Sequence, residues 1–246
     1  MYEIVEDNED FVVIYKQPNT SFHSDTGEAG LFETVKQREQ YAELYPVHRL
    51  DKVTSGLLVM AKNAQTNRAL LDQFRLRQIE KYYLAISHKK PKKKQGLIKG
   101  DMQAARRGAW KLIPTLTNPA ITQFFSNGLE GAGRLFVLKP HTGKTHQLRV
   151  ALKSIGAPIA GDLLYADATE NRHIDRAYLH AFSVGFRLEQ RDYRFTELPR
   201  EGEFFLSSAF SIAAKEFLQP WMLAWPQVSV HVGTADQAGT VELADE

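Results

Sequence analysis

Two short segments of the chain carry side chains that could do covalent or acid–base chemistry, and the first is HRLDKVTSG at residues 48–56. There a carboxylate, Asp51, stands between cations and two hydroxyls just before an apolar run. A loop mounted on a buried strand is a common place for reactive groups. The residues alone leave a second interpretation open, in which Asp51, Thr54 and Ser55 only cap a turn.

The second segment is HTGKTHQLR at residues 141–149, whose Gly-Lys-Thr is part of the phosphate-binding P-loop motif. That motif needs a glycine five residues before Gly143, and Leu138 stands there, which argues strongly against an NTP-binding loop. His141 and His146 lack the spacing of a helical metal site, and the chain has no cysteine. We therefore expect neither a metal ion nor a nucleotide cofactor.

Arg149 ends this second segment and is predicted to project from the first turns of a helix that Thr145 caps. A cation there could pair with a carboxylate from another loop. It could also be an ordinary surface arginine, and the residues alone do not decide between the two.

A third segment, KYYLA at residues 81–85, has the composition of a strand. Tyr82 and Tyr83 then face opposite sides, so one can enter a cleft and stack on an unpaired base. Both could equally be ordinary packing residues. The neighbouring HKKPKKK at residues 88–94 is predicted to be either a solvated loop or an arm that grips phosphates.

The charge distribution favours the second interpretation of this lysine run. The whole chain has a net charge of +2, yet residues 62–153 hold 19 Lys and Arg against four acids. That stretch carries +15 and the remainder −13. Such segregation is typical of a protein that binds a polyanion, and we expect contact with nucleic acid.

Short apolar runs and amphipathic periodicity predict the elements that must position these segments. Strands are predicted at residues 11–15, 57–61, 82–87, 120–125, 134–138 and 177–188. Helices are predicted at residues 31–41, 64–79, 145–155 and 208–218. Glycines 128, 131 and 133 predict a hairpin turn. The irregular alternation of strands and helices indicates an α+β domain with a mixed sheet.

The ends of the chain and its apolar runs restrict the class of protein. The first ten residues are acidic and polar, and the apolar run at 56–61 is far too short to span a membrane. We expect a soluble cytoplasmic protein, and a monomer because no apolar stripe is left unexplained. We predict a main domain over 1–206 and, over 207–246, a helix with an acid-rich, partly disordered tail.

Taken together, the segments resemble the RluA-type pseudouridine synthases, which isomerise uridine in RNA. The matching stretches are HRLDKVTSGLLVMAK at 48–62, KYYLA at 81–85, NPAITQF at 118–124, LKPHTGKTHQLRV at 138–150 and GAPIAGDLLYA at 156–166. Lys144 stands where the family usually has arginine, and Ala151 where a histidine often follows. We expect no S4-like RNA-binding module, because strand-like sequence begins at Phe11.

The resemblance implies a pseudouridine-synthase-like fold: a mixed, mainly antiparallel sheet with flanking helices and a central RNA-binding cleft. It implies that Asp51 is the catalytic aspartate, that Tyr83 stacks on the target base and that Arg149 pairs with Asp51. Arg49 would hold or replace the extruded nucleotide. We assign backbone contacts to lysines of the basic region. They are Lys89, Lys90, Lys92, Lys93, Lys94 and Lys144.

The implied reaction is redox-neutral and needs no metal or phosphate donor, and its substrate would be rRNA or tRNA. Asp51 could attack C1′ or act as the base that generates a glycal, and the residues do not choose between the two routes. An RNA-binding protein without activity and an NTP-dependent enzyme remain as alternatives. A serine hydrolase is disfavoured because the chain has no Gly-x-Ser-x-Gly.

Overall fold

The computed structural model describes residues 1–24, 29–131 and 133–228. These residues form eleven strands, five α-helices and three short 3₁₀ turns. The strands are β1 (Tyr2–Asp7), β2 (Phe11–Lys16), β3 (Tyr45–Pro46), β4 (Ser55–Ala61), β5 (Glu80–Ser87), β6 (Gln95–Ala104), β7 (Trp110–Ile113), β8 (Ala120–Leu129), β9 (Gly133–Pro140), β10 (Leu179–Leu188) and β11 (Arg191–Thr196). The helices are α1 (Leu31–Arg38), α2 (Ala64–Arg75), α3 (Gln147–Ser154), α4 (Ala168–Asn171) and α5 (Ser208–Ala214), and the 3₁₀ turns are Arg106–Gly108, Lys215–Phe217 and Pro220–Met222.

All the described strands join one sheet, in the order β1-β2-β4-β10-β5-β9-β8-β6-β7, with β3 on β4 and β11 on β10. Of the strand pairs among the described residues, β4 with β10 is parallel and the others are antiparallel. The prediction of a mixed, mainly antiparallel sheet with flanking helices is therefore confirmed. The predicted glycine hairpin is the β8–β9 connection, which closes where Leu129 faces Gly133.

The parallel contact between β4 and β10 is short, because it consists of Ser55 opposite His180 and Gly56 opposite Ala181. Gly56 has a φ of +111°, and a Cβ at this position would lie 2.2 Å from the carbonyl oxygen of Ala181. No other residue fits so close to the neighbouring backbone. This contact matters for the site, because the loop that carries Asp51 leads directly into β4.

The buried strands follow from continuous apolar sequence. All six residues of β2 and all seven of β4 are buried, since helices or loops cover both faces of the sheet there. Phe210, Ala214 and Phe217 pack in the same buried cluster as β5 and β9, so residues 207–217 share the core of the preceding chain. The acid-rich tail that we predict beyond Val228 lies outside the described residues.

Some element boundaries differ from the sequence predictions. Helix α2 ends at Arg75 rather than at residue 79, because Arg77 adopts a φ of +60°. Helix α3 begins at Gln147 with His146 as its N-cap, so the assignment of Thr145 as the cap was wrong. Strands β1, β3, β6, β7 and β11 were not predicted, because they consist mainly of exposed or half-buried residues and lack a continuous apolar run.

Helices of the kind that cross membranes are absent from the described part of the chain, where none is long and apolar enough.

Candidate active site

A cavity of about 650 Å³ lies beside the sheet, and its lining includes Asp51, Tyr83, His146 and Arg149. A second cavity of about 300 Å³ is also lined by the Asp51 loop and shares Arg49, Leu50, Asp51, His146 and Arg149 with the first. Asp51 therefore stands where the two cavities meet. Three residues that are distant in sequence, Asp51, Tyr83 and Arg149, lie together at this point, as the sequence analysis expected.

Arg149 connects two carboxylates. Its Nη1 lies 3.2 Å from Oδ2 of Asp51, while its Nε and Nη2 donate to Oδ2 and Oδ1 of Asp162 at 2.7 and 2.9 Å. Asp162 is 2% exposed and Arg149 is 6% exposed, so the forked pair is shielded from water, whereas Asp51 is only half-buried. Burial alone would lower the pKa of Arg149, but the hydrogen bonds and charge of Asp162 raise it above its usual value. The guanidinium is therefore a permanent cation beside Asp51.

The position of Asp162 depends on Gly161, whose φ is +75°. A Cβ at Gly161 would lie 1.9 Å from the carbonyl oxygen of Arg176, so the chain turns there only with glycine. Oδ1 of Asp162 also accepts from the backbone N–H of Leu164 at 3.1 Å. Asp162 lies within the segment GAPIAGDLLYA, but its role was not predicted, since nothing in the spacing connects residue 162 with residue 149.

Lys16, the last residue of β2, holds the loop after Asp51 in place through hydrogen bonds to its backbone. Its Nζ donates to the carbonyl oxygens of Gln17, Lys52 and Thr54 at 3.0, 3.0 and 2.7 Å. Lys16 is 0% exposed, and burial lowers its pKa to about 7. Because three carbonyl oxygens surround one amine, Lys16 fixes the backbone that follows Asp51. Lys16 lies one residue beyond the strand predicted at residues 11–15, and no sequence pattern indicated its role.

A buried polar chain continues this support under β4. Arg176 Nη2 donates to Oγ of Ser55 at 2.7 Å, and Oγ lies 2.8 Å from Nδ1 of His180. His180 Nε2 lies 2.8 Å from the carbonyl oxygen of Glu197, which can only accept, so Nε2 carries the proton and Nδ1 accepts from Ser55. Burial lowers the pKa of His180 to about 3, which keeps the ring neutral.

Tyr83 enters the cavity from β5, the central strand between β9 and β10. Its neighbour Tyr82 faces the other side and is fully buried, as strand alternation predicts. Burial, with a smaller contribution from the charge of Asp51, raises the pKa of Tyr83, so its phenol is protonated at neutral pH. The ring is half-buried and its outer part is available to a ligand.

The lining of the larger cavity also contains His48, Phe74 and Lys81. His48 Nε2 accepts from the backbone N–H of Val59 at 3.0 Å, and its ring stacks on Phe74 with the centroids 5.1 Å apart. Burial lowers the pKa of His48 to about 3. Lys81 Nζ lies 5.1 Å from the Phe74 ring centroid, and burial lowers the pKa of Lys81 to about 8. This part of the lining combines a flat ring with a nearby cation, and the sequence analysis did not single it out.

The lysines assigned to RNA contact separate into two groups. Lys144 lines the larger cavity and donates to Oδ1 of Asn118 at 2.8 Å. Lys89 forms an ion pair with Glu170 at 2.9 Å. The other four, Lys90, Lys92, Lys93 and Lys94, lie with Lys89 in the loop between β5 and β6, are exposed and line neither cavity.

Among the residues that the structure describes, no group of three His, Asp or Glu side chains is arranged to hold a metal ion. Around Asp51 the larger cavity thus combines a half-buried carboxylate with the permanent cation of Arg149, the neutral phenol of Tyr83 and the imidazole of His146, while Glu80 and further cations line it elsewhere.

The amino-acid sequence of the chain is similar to the sequences of known proteins. A family model described as RNA pseudouridylate synthase matches residues 10–154 of the chain. An uncharacterized RNA pseudouridine synthase of Haemophilus influenzae is 51% identical over 204 residues, which are 83% of this chain and 90% of that protein. The dual-specificity RNA pseudouridine synthase RluA of Vibrio vulnificus is 35% identical over 158 residues, which are 61% of this chain and 62% of that protein.

Solved structures agree with these matches. Human RNA Pseudouridylate Synthase Domain Containing 4 gives a TM-score of 0.64 at 26% identity, over 80% of this chain and 88% of that one. Human RNA Pseudouridylate Synthase Domain Containing 1 has the same fold, with a TM-score of 0.68 at 23% identity over 80% of this chain and 83% of that one. The chain belongs to the RNA pseudouridylate synthase family, and within it to the RluA type. The activity that follows is that of an RNA pseudouridine synthase, which is an isomerase.

Proposed function

We propose that the enzyme isomerises specific uridines in structured rRNA or tRNA, with Asp51 as its catalytic carboxylate. The observation that carries this proposal is the contact of 3.2 Å between Nη1 of Arg149 and Oδ2 of Asp51, at the junction of two cavities. No described residue donates to Oδ1 of Asp51, so this oxygen is available for chemistry. The cation orients the carboxylate without covering it.

The reaction needs a carboxylate held beside a cation, and it needs no redox-active group. The N1–C1′ bond breaks, the uracil turns, C5 bonds to C1′, and the proton on C5 then leaves. Asp51 either bonds to C1′ as a nucleophile and is displaced when C5 bonds to C1′, or takes the 2′ proton to give a glycal and returns it to C2′ when C5 bonds to C1′. In both routes the electron pair of the broken bond goes to the uracil, and in both the carboxylate must be close to the ribose.

The target uridine must leave its stack before it can reach Asp51, which costs a few kcal/mol. Tyr83 offers a ring at the cavity wall, and stacking of a base on an aromatic ring is worth about 1–3 kcal/mol. Arg49 is exposed at the edge of both cavities, and we assign to it the holding or replacement of the extruded nucleotide. The two side chains together would offset much of the cost of flipping.

The basic region would bind the RNA backbone without reading its sequence. Lys144 would contact a phosphate near the cavity, and Lys89, Lys90, Lys92, Lys93 and Lys94 would contact a more distant part of the RNA. One relative is named for the large ribosomal subunit, which supports rRNA as a substrate, and another is named a dual-specificity RNA enzyme, which supports the use of more than one RNA. We propose that the enzyme acts as a monomer in the cytoplasm, where these RNAs are used.

The test is the release of tritium from [5-³H]uridine-labelled total RNA of a strain that lacks the protein. Wild type should release tritium, whereas Asp51→Ala and Asp51→Asn should release none and still bind RNA within about threefold of wild type, because their backbone contacts to phosphates remain. Asp192→Asn, at an exposed aspartate of β11, is the matched control. Product formation by Asp51→Ala would contradict the role of Asp51. RNA binding without release by wild type would support the alternative of an inactive binding protein.

A further inference from the structure

His146 has an unusual backbone for a residue with a large side chain. It is the N-cap of α3 and adopts φ +56° and ψ +19°, in the left-handed region that residues with a Cβ disfavour. Asn or Gly at position 146 would adopt the same backbone conformation with less strain. Strained residues persist where the surrounding structure holds them, commonly at functional positions.

The imidazole of His146 is oriented by Tyr165. The hydroxyl of Tyr165 accepts from the backbone N–H of Trp110 at 2.9 Å and lies 2.8 Å from Nδ1 of His146. Tyr165 is buried, and burial raises the pKa of its phenol, so the proton stays on the oxygen. No other described residue accepts from this hydroxyl, so its proton points to Nδ1. The proton of a neutral His146 is therefore on Nε2.

The Nε2–H group of His146 faces the cavities rather than another part of the protein. His146 lines both cavities beside Asp51 and Arg149. No described residue accepts a hydrogen bond from Nε2, although the ring is half-buried. Burial lowers the pKa of His146 and Arg149 acts in the same direction, against the carboxylates of Asp51 and Asp162. The site thus contains a neutral, oriented N–H donor that has no acceptor among the described residues.

We propose that His146 is a further catalytic residue, which donates its Nε2–H hydrogen bond to the uracil carbonyl oxygen nearest the breaking N1–C1′ bond. This inference rests on the proposed role of Asp51. When the bond breaks, the uracil keeps the electron pair, and its carbonyl oxygens gain negative charge. A donor already fixed in the cavity stabilises that charge without reorganisation. No proton is transferred, so the step requires no change of charge on His146.

The same contacts would also exist if His146 only began helix α3, and three variants separate the two roles. His146→Asn keeps a residue that tolerates left-handed backbone but removes the imidazole. His146→Gln places an amide N–H close to the former Nε2 position. Tyr165→Phe keeps His146 and removes the hydroxyl that fixes its tautomer. His173→Asn, at an exposed histidine outside both cavities, is the control.

The experiment measures single-turnover tritium release from [5-³H]uridine-labelled total RNA, with filter binding of the same RNA and thermal unfolding of each variant. His146→Asn should be about 100-fold slower than wild type, the usual effect of removing one such donor. Its RNA affinity should stay within about threefold, because phosphate contacts that are untouched supply most of it. His146→Gln should recover part of the rate, Tyr165→Phe should be slower than wild type, and His173→Asn should match wild type.

Wild-type release by a folded His146→Asn would overturn the inference and leave His146 a helix cap. If His146→Asn does not fold, wild-type rates for both His146→Gln and Tyr165→Phe would overturn it instead. Asp51→Ala, assayed in parallel, keeps the two proposals apart. Release by Asp51→Ala would contradict the proposed function itself, whereas an inactive Asp51→Ala beside a fully active His146→Asn would contradict only the role of His146.

Discussion

Asp162 binds Arg149 through two hydrogen bonds, from Nε at 2.7 Å and from Nη2 at 2.9 Å, and both side chains are almost fully buried. One nitrogen of the fork, Nη1, is left for Asp51. The buried carboxylate of Asp162 thus balances the charge of the guanidinium and fixes its orientation, and the half-buried carboxylate of Asp51 accepts a hydrogen bond from it. The two aspartates have different environments and can therefore have different tasks.

This arrangement predicts the effect of Asp162→Asn. The substitution leaves a buried guanidinium without its carboxylate, and breaking a buried pair in this way costs about 3–5 kcal/mol of unfolding free energy. Tritium release should also fall, because Nη1 would no longer be aimed at Asp51. Urea unfolding at pH 7 measures the first effect. Asp72→Asn, which removes an exposed pair with Arg75, is the control and should change stability by less than about 1 kcal/mol. Equal effects of the two substitutions would contradict this account.

Lys16→Met tests the support under the catalytic loop. The substitution fills a similar volume but leaves the carbonyl oxygens of Gln17, Lys52 and Thr54 without their donor. Each buried acceptor left unpaired costs about 1–3 kcal/mol, so the unfolding free energy should fall by at least that amount. Turnover should fall more than RNA affinity, because the loop positions Asp51. Lys215→Met, at an exposed lysine, should have no measurable effect. A Lys16→Met enzyme with wild-type turnover would show that the loop holds its shape without this amine.

The buried neutral histidines predict a loss of stability in acid. Burial lowers the pKa of His180 to about 3, while in the unfolded chain it titrates near 6.5. Between these two values the unfolded state binds more protons, so stability falls as the pH drops from 6.5 towards 3 and is fully present above 6.5. His48 acts in the same direction. NMR of the imidazole groups should show no titration of His180 between pH 5 and 8. A midpoint near pH 6.5 would contradict its neutral, buried state.

The exposed lysine loop predicts a change in salt dependence. Replacing Lys89, Lys90, Lys92, Lys93 and Lys94 with glutamine should weaken RNA binding and flatten the dependence of affinity on salt, because fewer counterions are released. Lys144→Gln should have a smaller effect on the salt slope, since it removes one charge. Filter binding at about 50–200 mM salt covers the range in which such contacts change affinity most. An unchanged slope for the five-lysine variant would identify the loop as solvated surface.

Much of the site was predictable because its parts lie within short ordered segments. Asp51, Tyr83 and Arg149 each belong to a segment whose residue types indicate chemistry, and the buried strands follow from continuous apolar runs. Lys16 and Asp162 were not predictable in this way. Their roles come from contacts with residues 36 and 13 positions away, which no local pattern records. The position of His146 as the N-cap of α3 was not predictable either. By residue type Thr145 is the better cap, and the left-handed backbone of His146 is seen only in the structure.

The short parallel contact between β4 and β10 places a strand that is synthesised late between two parts of the site that are synthesised early. Asp51 precedes β4, whereas Tyr83 lies on β5, and among the described strands β10 is the one that pairs with both β4 and β5, meeting β4 at residues 55–56 and 180–181. Those positions are 125 residues apart in the chain. A nascent chain that has emerged only through α3 already contains Asp51, Tyr83 and Arg149 but not the strand that aligns them. We therefore expect Asp51 and Tyr83 to reach their final relative positions only after β10 has been synthesised.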